Sequence, residues 1–174
     1  MQMLADVLAT FLCTLFVVSA VPKILNLSAF KELTMAYGIL PDPIAGIFGM
    51  LLPFAELLGA ALLFYGETAI YGVLILLGLL LSFAWAVTTI LRSKKTITCG
   101  CYGKFFDARA DRFTLFKIGI LAVSALIVLI HTSAHPVRLS VKAAFLGGIL
   151  TVCLLTVQAV WTYHTKMMDR LKKR

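Results

Sequence analysis

Five long apolar runs separated by short polar connections make up the chain: approximately Leu4–Leu25, Pro43–Tyr65, Thr68–Leu91, Phe113–His131 and Val141–Tyr163. Crossing roughly 30 Å of hydrocarbon takes about 20 mostly apolar residues in a helix, and each run meets that length. Lipid offers no partner for backbone N–H and C=O groups, so each run must satisfy its own, as a helix does. The alternating apolar and polar segments of a membrane barrel are absent. The pattern predicts an all-α, multi-pass transmembrane bundle with about five membrane segments. It forms a single integral membrane domain over residues 1–174, with a polar loop at 92–112.

Composition agrees. Of 174 residues, 61% are hydrophobic and 14% charged, far from the roughly 25% charged expected of a soluble domain. The net charge of +8 could indicate nucleic acid, but no basic stripe runs through a soluble fold, so nucleic acid is not expected as a partner; the bilayer is. Val18-Ser19-Ala20 looks like a signal-peptide cleavage site, yet residues 1–6 carry no Lys or Arg, which a signal sequence needs. The first segment is read as a retained helix.

Charge also orients the chain. The connection after segment one, the loop Arg92–Arg112 and the tail after Tyr163 share one side and hold 14 of the 16 basic residues, counting Lys117 at a helix edge. Only Arg138 and Lys142 lie opposite. The positive-inside rule then puts the N-terminus outside and the loop and C-terminus in the cytoplasm. Small residues four apart, at Ala45/Gly49, Ala55/Gly59, Ala143/Gly147 and Ala144/Gly148, let helix backbones approach closely. They serve packing within the bundle or, alternatively, a homo-oligomer face.

Two features carry chemistry. The first is Cys99-Gly100-Cys101, followed by Tyr102-Gly103, in the longest polar stretch. Two thiols one residue apart close only on a tight turn, because a disulfide holds its Cα atoms about 4.4–6.8 Å apart, and glycine between them permits the needed backbone angles. Strained disulfides are the labile, oxidising ones, and cations such as Lys94, Lys95 and Lys104 favour the reactive thiolate. The residues leave three readings open: redox exchange, binding of a soft metal such as Cu(I), and no role. No closed zinc site is expected, since His131, His135 and His164 are not spaced to complete one. Cys13 and Cys153, near the middles of segments one and five, read as small hydrophobes, with a second thiol pair as the alternative.

The second feature is Glu56, within a spanning segment and three residues after Pro53. An ionisable side chain there costs about 2.5–3.5 kcal/mol on insertion scales and marks function by default. Lys23 and Lys117 are its candidate cations, although both sit nearer helix ends. A protonated carboxyl bonded to Ser, Tyr or Gln is the alternative.

These residues resemble a family. Ser19-Ala20-Val21-Pro22-Lys23, Phe30, Tyr37-Gly38-Ile39-Leu40-Pro41 and Glu56-Leu57-Leu58-Gly59 look like the DoxX-like superfamily of small membrane proteins. Cys99-Gly100-Cys101-Tyr102-Gly103 looks like its MauE branch, the methylamine-utilisation protein E family. The resemblance implies a DoxX-like four-helix core plus one helix in the bacterial inner membrane, associated with thiol–disulfide chemistry. Cys99 and Cys101 would then be the redox pair, with Gly100 and Gly103 shaping their loop and Lys23 and Glu56 as family polar positions. The expected activity is thiol–disulfide exchange with a thioredoxin-like or disulfide-containing protein. A quinone is the candidate acceptor, by analogy with vitamin K epoxide reductase-type bundles. Oxidative maturation of a periplasmic enzyme wants the thiols outside, whereas the charge count places them inside, where they suit electron intake from a thioredoxin-like donor. The competing readings are a transport or binding protein for a soft metal or small solute, and a non-catalytic scaffold for a soluble redox partner.

Overall fold

Along the second apolar run, the buried positions are Ala45, Gly46, Gly49, Leu52, Pro53, Glu56, Gly59, Ala60 and Leu63, the three-and-four spacing of one helical face. That stripe faces the centre of the bundle, and Glu56 is its one charged member. A computed structural model of the chain describes residues 2–92, 98–99, 108–109, 112–132 and 140–172. Its helices are α1 (Gln2–Leu25), α2 (Leu27–Ala36), α3 (Asp42–Phe64), α4 (Ala69–Arg92), α5 (Arg112–Thr132) and α6 (Val141–Lys172). All but α2 are long and apolar enough to cross a membrane, so the chain is a multi-pass helical membrane protein, as the apolar pattern predicts.

Pairwise contacts give the helix directions. Cys13 bonds Ala60, Lys23 bonds Glu56 and Thr34 lies against Gly49, so rising numbers on α1 and α2 meet falling numbers on α3. Gly59 lies against Leu76, and Gly72 against Leu63, making α3 and α4 antiparallel. Phe113 stacks on Trp161 and Lys117 bonds Gln158, making α5 and α6 antiparallel. Gly147 meets Phe11 and Thr14 meets Thr151, so α1 and α6 are parallel. The long helices therefore alternate in direction. The ends of α2, α4 and α6 and the starts of α3 and α5 point toward one end of the bundle, the end to which the basic regions attach.

One element is not foreseen by the apolar pattern. The stretch after Leu25 forms α2, which continues α1 down the same flank of α3. The column breaks at Asn26 (φ −136°, ψ 50°), four residues after Pro22, whose missing N–H already weakens the last turn of α1. Gly38, at φ 61°, supplies the left-handed backbone that ends α2, and Pro43 near the start of α3 suits a helix N-terminus. The last helix also outruns its apolar run, carrying the tail as helix to Lys172.

Two seams require glycine. A Cβ on Gly72 would lie 2.5 Å from the Leu63 nitrogen and 2.7 Å from the Gly59 oxygen; one on Gly147 would lie 2.8 Å from the Phe11 nitrogen. Close backbone approach of this kind is what holds helices together where lipid removes the hydrophobic drive. Of the small-residue pairs, those ending at Gly49, Gly59 and Gly147 pack inside the bundle. Gly148 has open space around it and Ala144 is exposed.

Candidate functional site

At the α1–α3 seam, Ser19 and Lys23 lie four residues apart and so share one helix face. Lys23 Nζ is 2.5 Å from Glu56 Oε1 and donates to Ser19 Oγ at 3.1 Å; Ser19 Oγ donates to Glu56 Oε2 at 3.5 Å. The ammonium also lies 5.3 Å from the ring centroids of both Phe30 and Phe83, within cation–π range. Both charged side chains are 1% exposed. The pair is an enclosed unit of one basic and one acidic side chain.

Of the two candidate cations, the structure gives Glu56 Lys23. Lys23 does lie in the last turn of α1, but α2 continues the column beyond it, which sets Lys23 level with Glu56 in the interior of α3. Lys117 is not the partner; it donates to Gln158 Oε1 at 2.5 Å and lies 5.8 Å from the Phe113 ring. Both lysines nevertheless line one small cavity of about 60 Å³ between α1, α3, α4, α5 and α6. That volume holds about two waters, at roughly 30 Å³ each, and no organic ring. The contribution of Ser19, Phe30 and Phe83 is absent from the charge-pairing argument, though the spacing of Ser19 and Lys23 signals the first.

A larger cavity, about 200 Å³, lies beside it between α2, α3 and α4, lined by aromatic rings that include Phe30 and Phe83. No sequence argument points to it, because its wall depends on α2.

The structure does not join Cys13 to Cys153. Cys13 and Cys153 are both free. Cys13 donates to the Ala60 carbonyl at 3.4 Å, on α3, whereas Cys153 is exposed on α6. Their similar depth does not turn them toward each other. Among the described residues no three His, Cys, Asp or Glu side chains gather as metal ligands would.

Of the loop, the backbone of Cys99 is described. Thr98–Cys99 (β1) pairs antiparallel with Ala108–Arg109 (β2), Cys99 opposite Ala108, between the end of α4 and the start of α5. Gly100, Cys101, Gly103, Lys94, Lys95 and Lys104 lie outside the described residues.

The family model for methylamine utilisation protein MauE matches residues 1–131. The chain belongs to the MauE family. The match takes in Lys23, Glu56 and the whole Cys-Gly-Cys loop, and it stops before α6. It bears on MauE and not on the wider DoxX-like grouping. Searches of curated proteins and of solved structures find no match.

Proposed function

We propose that this protein is a membrane thiol–disulfide exchange component, serving as an accessory in methylamine utilisation, with Cys99 and Cys101 as its working pair. The observation that carries the reading is the Cys99-Gly100-Cys101 spacing within the region that matches MauE. The β1–β2 pairing at Cys99 supports it by giving one end of the motif a paired backbone. One cysteine, as thiolate, attacks a disulfide in a thioredoxin-like or disulfide-containing partner, and the other resolves the mixed disulfide. The partner disulfide becomes a dithiol while Cys99 and Cys101 become joined; the reverse exchange returns both. Lys23 and Glu56 join α1 to α3 within the bundle that carries the loop. The basic residues at the loop end support a cell-membrane orientation with the loop and C-terminus in the cytoplasm.

Trapping tests this. In Cys101→Ser, and separately in Cys99→Ser, the remaining thiol is expected to accumulate a partner-linked species that dithiothreitol releases. Absence of such a species from both variants, with normal partner maturation when both cysteines are replaced, overturns the reading in favour of a scaffold. One metal equivalent per chain, lost in the double variant, overturns it in favour of a soft-metal protein.

A further inference from the structure

The geometry points to the cavity between α2, α3 and α4 as a binding site for the ring of a membrane quinone. Its volume is about 200 Å³; an apolar cavity of about 150 Å³ in another protein holds benzene, so one substituted six-membered ring fits with its tail outside. Phe30, Tyr37, Phe48, Phe83 and Trp85 supply aromatic faces and edges around it, and such rings pair with a flat ligand in stacked or edge-on geometry. Phe48 and Trp85 are exposed, at 40% and 58%, so the cavity opens on the flank of the bundle, where a lipid-soluble molecule arrives from the bilayer. A phospholipid acyl chain fits an apolar slot but makes no use of aromatic walls or hydroxyls.

The polar groups suit both redox forms. Thr34 Oγ1 spends its hydrogen on the Phe30 carbonyl, at 2.8 Å, and Ser82 Oγ spends its own on Leu79, at 2.7 Å. Each therefore offers a ligand an acceptor, as the hydroxyls of a hydroquinone require. Trp85, on the cavity wall, brings an indole N–H, a donor type that a quinone carbonyl requires. Phe30 and Phe83, the two rings beside the Lys23 ammonium, both line this cavity, and Phe83 lines the ion-pair cavity as well. Val87, on its wall, is five residues from the end of α4 at Arg92, about 7.5 Å along the helix, and the chain leads from there to the thiol segment.

Binding of the ring stands on the cavity alone; its chemistry rests on the thiol-exchange reading. The reduced pair, Cys99 and Cys101, loses two protons and two electrons as its two S–H bonds break and one S–S bond forms. The quinone takes up two electrons and two protons, and its carbonyls become the two hydroxyls of the quinol.

The test uses the full chain in lipid nanodiscs with an azido-ubiquinone photoprobe and decylubiquinone as competitor. Label is expected on peptides covering residues 30–52 and 82–87, competed by decylubiquinone, and unchanged in Cys99→Ser/Cys101→Ser. Filling the cavity with Ala86→Phe should weaken labelling at least tenfold, and Thr34→Val/Ser82→Ala should weaken it severalfold with little change in volume. Label spread over the lipid-facing surface, or label on these peptides that decylubiquinone does not compete, overturns the site even if Ala86→Phe fails to fold. Competed labelling in a protein whose dithiol the quinone does not oxidise removes the thiol chemistry and leaves the binding site standing.

Discussion

Two lysines sit within spanning segments, and the bundle treats them differently. Lys23 is enclosed between α1 and α3 against a carboxylate, a hydroxyl and two rings. Lys117, one to two turns into α5, is half-buried and bonds the neutral amide of Gln158 on α6. A lysine near a helix end can carry its charge toward water along its own stem. One in the interior of the α1–α2 column cannot, so it needs a counter-charge. The contrast shows that depth in the helix column, not distance from the end of an apolar run, decides which lysine Glu56 takes.

The largest expected effect comes from splitting the enclosed pair. Lys23→Met or Glu56→Leu alone leaves an uncompensated buried charge, a loss of about 3–5 kcal/mol. The double variant should recover most of that loss, since an apolar replacement of a buried pair is often neutral. Thermal unfolding in detergent measures all three; equal losses in the single and double variants would break the comparison.

Next in size is the α1–α6 seam, which relies on close approach rather than charge. Gly147→Val drives a side chain into the backbone at Phe11 and should cost about 1–3 kcal/mol. Gly148→Val, with open space around the same helix, should leave the unfolding midpoint within experimental error. A smaller loss, about 1 kcal/mol for one hydrogen bond, is expected from Lys117→Met, and a similar one from Gln158→Leu. If Lys117→Met costs as much as Lys23→Met, the distinction between the two lysines fails. Smallest of all, Cys13→Ala and Cys153→Ala should leave partner-linked trapping at Cys99 and Cys101 unchanged, because neither thiol pairs with the other.

Much of this architecture was legible from apolar run length alone, because lipid leaves a spanning backbone only one way to satisfy itself within a single segment. Glu56 stood out for the same reason: a charge where the solvent is hydrocarbon must have a partner. Its partner was harder to read. A ten-residue helix with one fully buried hydrophobe, Phe30, leaves little trace in an apolar-run count, yet α2 is what places Lys23 inside the column. The aromatic cavity was invisible for the same cause, since α2 forms one of its walls. Small-residue spacing identified close-packing positions without saying which neighbour each would meet, and left Gly148 facing outward. The Cys-Gly-Cys motif is legible without any fold, because its chemistry depends on separation along the chain.

The most direct measurement is differential alkylation of the full-length protein in its membrane, read by mass spectrometry at Cys99 and Cys101. The account predicts that both sites resist the first reagent, accept the second only after reduction, and close again when an oxidant is restored, shifting the tryptic peptide by two hydrogens. Both cysteines alkylated in full without reduction, and unchanged by any oxidant, would contradict it.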